Sequence, residues 1–304
     1  MSELSDDVIL KVPFRFKGKH ACSTIVAAPI SFNFISSLLD AVEVSLGIEA
    51  FDLLVVPGFT NKFLRESKTV LGTLDLAHSK HSIKRVVLCQ HVDFHAKGKS
   101  NRFVSEMEED MYHKRGLISS CNKIHGLYPK VAVVMLYARL VNDRKEIEIV
   151  QVSEDSRERV RLVAPYTFGD MDQCEATAVL CLDWRFRRET RKCVKEALGN
   201  PAFNMIGIPG SAKKFLEGAK TAWKGIKNAC EKGGCKKIIV FQHTDCGAYG
   251  GSASFKSAVE EELFQYDQLN TFEGMIHKEY PYVAVEKIYA RLIENNTRIQ
   301  FVRV

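Results

Sequence analysis

The chain is written twice, and no other feature limits its fold as much. The run Phe51 to Leu64 (FDLLVVPGFTNKFL) matches Phe203 to Leu216 (FNMIGIPGSAKKFL) at an offset of 152 residues. The same offset pairs Cys22 with Cys174, Gly47 with Gly199, Gln90 and His91 with Gln242 and His243, and His125 with His277. It also lays Tyr137 to Leu140 over Tyr289 to Leu292, both YARL. A single register held over about 130 residues is the mark of duplication. Two domains of one fold are therefore expected, 1–152 and 153–304. The seam falls near Gln151 to Arg161, where the run Ser153 to Glu158 is polar and carries no helical pattern. A length of 304 residues also suits two domains better than one.

Each copy reads as strand, helix, strand, helix, strand and a closing hairpin. In the second copy Ala176 to Leu182 is a short apolar run suited to a strand buried on both faces. Phe186 to Leu198 has helical spacing, and Gly199 stops it. Phe203 to Ile208 is the next strand and Pro209-Gly210 turns the chain. Phe215, Leu216, Ala219, Ala222, Trp223, Ile226 and Ala229 mark one face of a single long helix, and Lys237 to Gln242 is a third buried strand. Tyr282 to Ile293 and Thr297 to Val304 form the hairpin. Strands alternating with helices imply an α/β fold with a mainly parallel central sheet.

Composition excludes several classes. No apolar run is long enough for a membrane helix, and the acidic start, Met1 to Asp7, lacks the layout of a secretory signal, so a cytoplasmic protein is expected. The net charge of +6 is spread out. Lys213, Lys214, Lys220, Lys224, Lys227 and Lys232 lie between the apolar positions of one helix and read as a solvated face rather than a nucleic-acid patch. Nine cysteines at irregular spacing argue against a disulfide framework, and most read as small core residues.

Three of the residues fall where chemistry is expected. Cys181 lies at the carboxyl end of the first strand of the second copy, and His243 and Cys246 lie at the end of the third. Open α/β sheets bind their ligands outside these strand ends. Two thiolates and an imidazole suit tetrahedral zinc, and three protein ligands leave a fourth position for catalysis. A cysteine at a strand end is more often core than ligand, and His-x-x-Cys alone is a weak signal. Asp183 and Arg185, alternating with Cys181, strengthen it.

These residues, Cys-Leu-Asp-Trp-Arg at 181–185 and His-Thr-Asp-Cys-Gly at 243–247, resemble the zinc motif of the β-class carbonic anhydrases. The resemblance covers most of residues 174–304 and, more faintly, the first copy. It implies zinc held by Cys181, His243 and Cys246, with Asp183 orienting a zinc-bound hydroxide that attacks carbon dioxide to give bicarbonate, and Arg185 pairing with Asp183. It also implies an intrachain pseudo-dimer of two carbonic-anhydrase-like domains, which leaves room for whole chains to pair further. The first copy is degenerate. There Cys181 falls on Pro29, Asp183 on Ser31, Arg185 on Asn33 and Cys246 on Phe94, and only His91 survives, so domain 1–152 is expected to lack the metal site.

The chain departs from the family pattern at Trp184 (usually Ser), at Gln242 (usually Gly), in the loop Ile208 to Ser211, and in its reduced N-terminal arm. His20 lies roughly where the family has a pocket Gln from the partner subunit. Two other readings stand beside carbon dioxide hydration: hydrolysis of carbonyl sulfide or carbon disulfide at the same site, and a zinc-stabilised scaffold in which Asp183 is the fourth ligand.

Overall fold

A computed structural model describes residues 7–15, 22–92, 103–168, 173–200 and 202–304. The chain forms two compact units, one of Ala21–Gln173 and one of Met1–His20 with Cys174–Val304. Each is an α/β unit with helices against a central sheet.

Strand β1 (Asp7–Pro13) opens the chain and belongs to the second unit. The first unit runs β2 (Thr24–Pro29), α1 (Ile35–Asp40) with a π-helical turn Ala41–Ser45, β3 (Asp52–Val56), α2 (Phe59–Leu64), α3 (Lys68–His81), β4 (Arg85–His91), α4 (Glu106–Leu127), β5 (Ala132–Val141), β6 (Glu146–Val152) and β7 (Glu158–Pro165). Its sheet is ordered β3-β2-β4-β5-β6-β7. The pairs up to β5 are parallel, and β6 and β7 are antiparallel additions.

The second unit runs β8 (Ala176–Cys181), α5 (Trp184–Lys192) with a π-helical turn Cys193–Ala197, β9 (Asn204–Ile208), α6 (Ala212–Leu216), α7 (Lys220–Lys232), β10 (Lys237–His243), α8 (Ala258–Glu279), β11 (Ala284–Ile293) and β12 (Arg298–Arg303). Its sheet is ordered β9-β8-β10-β11-β12-β1. The first three pairs are parallel, and β12 and β1 follow antiparallel. Strands β8, β9 and β10 are buried almost throughout, as the apolar runs require of a strand covered on both faces. The chain steps from β8 outward to β9 and returns to β10 on the other side. The neighbouring carboxyl ends of β8 and β10 are thus a topological switch point, where such sheets open a crevice.

Three expectations need correction. The long helix after β9 is two, α6 and α7, because Gly218 takes a left-handed φ of 72° and Ala219 is extended. The 22-residue helices α4 and α8 have no counterpart in the strand-and-helix reading. Their signal was a capping box: Ser105 and Ser257 accept the N–H of Glu108 and Glu260, and those glutamates bond back to Val104 N and Lys256 N. The polar seam after Gln151 is a tight turn, Ser153 to Arg157, followed by one more strand, β7. The compact units divide at 20/21 and 173/174. β7 lies at the position of β1 plus the repeat offset, and each of these opening strands joins the sheet of the opposite half.

Candidate metal centre

Cys181 is the last residue of β8 and His243 the last of β10, and Cys246 follows after a two-residue turn. The ligand atoms of these three residues all lie within 4.8 Å of one another. The sulfurs of Cys181 and Cys246 are 3.8 Å apart. Two sulfurs each about 2.3 Å from a tetrahedral ion would stand about 3.8 Å apart. This is too far for a disulfide, and every cysteine is free. The His243 ring is fixed by its Nδ1, which donates to Thr244 O at 2.9 Å, and by Phe186, 4.3 Å away between ring centroids. That bond leaves the lone pair on Nε2, which is buried without a hydrogen-bond partner. An orphaned imidazole nitrogen beside two sulfurs at tetrahedral spacing fits a zinc ion.

The two thiols do not share their charge equally. The hydrogen bond from Cys246 holds the Cys181 thiol well below its ordinary value; burial opposes this, and the His243 charge adds to it. The same hydrogen bond raises Cys246, with burial second. The N–H of Gly210 points at the Cys181 sulfur from 3.3 Å, which also favours a thiolate there. At His243 burial works against protonation, and the neighbouring Cys181 charge outweighs it, for a net upward shift.

Asp183 sits two residues beyond Cys181 and caps α5, accepting the Arg185 N–H at 3.0 Å. The Arg185 side chain returns to the same carboxylate, with Nη2 2.8 Å from Oδ2 and Nε 3.1 Å from Oδ1. Both are almost fully buried, at 1% and 3% exposure. The guanidinium also donates Nη1 to Asp245 Oδ2 at 2.8 Å and Nη2 to Asp245 O at 2.9 Å. Burial would lower the pKa of Arg185, but the two carboxylates raise it on balance, so it is a fixed cation. Asp183 Oδ2 lies 3.9 Å from His243 Nε2. The carboxylate stands beside the cluster with its oxygens committed to Arg185.

A cavity of about 10 Å³, room for roughly one water, opens beside these groups. Leu180, Phe186, Phe241 and Ala290 give it apolar walls, and Cys181, His243 and Arg187 are among its polar lining.

Residues 171–303 match the family model described as "Putative carbonic anhydrase". The match lies within the second half of the chain. An uncharacterized protein of Rickettsia conorii is 24% identical over 123 residues, 38% of this chain. The aligned segment spans 66% of that protein, just under two thirds of its length.

Within the matched half, the departures from the family pattern are tied into the frame of the site. Gln242 is fully buried, and its Nε2 donates to Gly210 O at 3.2 Å and to Tyr249 OH at 3.0 Å, linking the end of β10 to two loops. The altered loop at Ile208 to Ser211 supplies the Gly210 N–H to Cys181. Gly210 has a φ of 68°, and a Cβ there would stand 2.8 Å from Ala248 Cβ, so glycine is required. Trp184 is half-buried at the start of α5 and does not line the cavity.

Sequence reasoning missed Asp245, the second acidic partner of Arg185. Its own position is braced by a left-handed φ of 59°, by its N–H to Glu261 Oε1 at 2.7 Å and by Ser252 N to its Oδ1 at 3.0 Å. It lies inside the His-x-x-Cys spacing, and its unlike neighbours across the fold gave no sequence signal. Phe14, just after β1, was also missed; it packs on Phe186 at 5.5 Å. His20 and Phe94 lie outside the described residues.

Among the described residues of the first unit, His91 alone of the motif positions keeps its residue type. Its Nδ1 bonds Val92 O at 2.5 Å, and its ring stacks on Phe34 at 4.8 Å. Asn33, where the other half has Arg185, donates to Tyr166 OH at 2.8 Å. The Pro29 side chain has no donor atom to offer a metal.

Proposed function

We propose that the second half catalyses the reversible hydration of carbon dioxide to bicarbonate, with zinc held by Cys181, His243 and Cys246. The observation that carries this reading is the Asp183–Arg185 pair. A purely structural zinc site gains nothing from a buried guanidinium that occupies the nearest carboxylate. A site that needs a fourth position for water gains that position. Zinc bound by these residues would act as a Lewis acid and bring the pKa of a water to about 7, a magnitude for which carbonic anhydrase is itself the reference case. Asp183 accepts a hydrogen bond from the attacking oxygen and so turns a lone pair toward the substrate carbon. Arg185 keeps that carboxylate in place. The water oxygen adds to carbon, one carbon–oxygen π bond opens, and the proton leaves to solvent. The small apolar-walled cavity suits a small uncharged substrate.

The matched register of the two halves and the exchange of β1 and β7 support a further reading. The chain is a duplicated carbonic-anhydrase-like domain in which the first copy has lost its ligands and serves as an intrachain counterpart, the two forming a pseudo-dimer.

The test is stopped-flow hydration of carbon dioxide by the zinc-loaded full chain, with Cys246→Ser beside it. Turnover by the wild type that disappears with its zinc in the variant is expected. No turnover by a zinc-replete wild type would overturn hydration, and carbonyl sulfide hydrolysis measured on the same sample would then name the substrate.

A further inference from the structure

The first unit holds a second group of metal-ligating side chains, far in sequence from the degenerate site at Pro29 and His91. Cys121 and His125 lie one turn apart on α4, the i and i+4 positions that share a helix face. Glu154 comes from the turn after β6. Cys121 Sγ is 3.9 Å from His125 Nδ1 and 3.8 Å from Glu154 Oε1, and Nδ1 is 3.8 Å from Oε1.

The shape of this triangle is informative. The nitrogen and the carboxylate oxygen are too far apart for a direct hydrogen bond. A point equidistant from three atoms so spaced lies about 2.2 Å from each, within the range for zinc bonded to sulfur, nitrogen and oxygen. Access fits as well: Cys121 is 1% exposed, while the side chains of His125 and Glu154 are 40% and 62% exposed. An ion could enter from solvent and keep water on its outer side. The Glu154 turn is independently rigid, with Ser153 N bonded to Arg157 O and Ser156 N to Ser153 O, both at 2.9 Å.

We propose that Cys121, His125 and Glu154 bind a divalent cation of the zinc type, pinning the last turn of α4 to the β6–β7 turn. One thiolate, one imidazole and one carboxylate are a borderline donor set that suits zinc over magnesium or calcium. With a single thiolate and an open outer face, it binds more weakly than the two-thiolate centre of the other half. In the second copy the thiol is missing, since Cys121 falls on Glu273. The site does not rest on carbon dioxide hydration and stands or falls without it.

The experiment is zinc titration of the metal-free full-length protein, followed by calorimetry and elemental analysis. The wild type should bind two zinc ions per chain, the second more weakly. Cys246→Ser should keep only the weaker ion, whereas Cys121→Ser, His125→Ala and Glu154→Ala should each keep only the tighter one. Cobalt(II) added to Cys246→Ser should give a sulfur-to-metal charge-transfer band that Cys121→Ser in the same background removes. The exposed His125 and Glu154 positions keep the test sound if Cys121→Ser misfolds. One zinc per chain at saturation, or a second ion indifferent to all three substitutions, would overturn the site and leave a hydrogen-bonded Cys–His–Glu cluster.

Discussion

At the scale of single residues, the site depends on backbone geometry as much as on its ligands. Gly210 aims its N–H at the Cys181 sulfur from a left-handed conformation with Ala248 pressed against it. Gly210→Ala should therefore cost about 1–3 kcal/mol of stability, the range for a strained φ. It should also weaken zinc retention, because the thiolate loses a donor. Chemical denaturation with a parallel zinc-retention assay checks this, and an unchanged midpoint would contradict the strain. The five motif residues stood out in the sequence because Cys181 and His243 each close an apolar run and the spacing of all five resembles a known zinc motif. Asp245 was not, because its bond to Arg185 joins helix α5 to a turn 60 residues away and no local pattern encodes it. Gln242 was visible as a departure, but its work of tying Gly210 to Tyr249 was not, since both partners come from elsewhere in the chain.

At the scale of elements, the strands that carry Cys181 and His243 were readable because a strand buried on both faces must be apolar throughout. Helices α4 and α8 hid from periodicity, since polar Glu109, His113, Glu261 and Gln265 fall on their buried faces. Strand β1 was equally hidden. Its residues alternate only weakly, and its partner β12 lies at the other end of the chain. β1 completes the second sheet, and its Asp7 pairs with Arg303. Removing residues 1–15 would leave β12 as an open edge and uncover the Phe186 face that Phe14 covers. Burial of a Phe side chain alone is worth about 1.5–3 kcal/mol. The truncated protein should thus melt several degrees lower and aggregate more readily. A melting temperature equal to that of the full chain would count against β1 as part of the fold.

For the whole molecule, the proposed duplication, with β1 and β7 each in the sheet of the other half, has one consequence. Residues 158–304 on their own would lack β1 but carry β7, its counterpart in the repeat. Such a fragment has an unfilled sheet edge and a spare strand that matches it. Light scattering after expression should find it aggregated or paired through exchanged β7 strands, and a stable, active monomer would contradict the account. No described helix is long and apolar enough to cross a membrane.

The central claim is that Asp183 is held off the metal by Arg185 so that water can react there, and Arg185→Ala tests it most directly. Tightly held zinc and carbon dioxide hydration should be measured side by side on wild type and variant after removal of weakly bound metal. The three ligands are untouched, so zinc at their centre should remain near one per chain. The released carboxylate is a competent ligand and would fill the position water needs, so hydration should fall by about 100-fold or more. Wild-type activity surviving nearly intact in Arg185→Ala, with zinc in place, would contradict the role given to the Asp183–Arg185 pair.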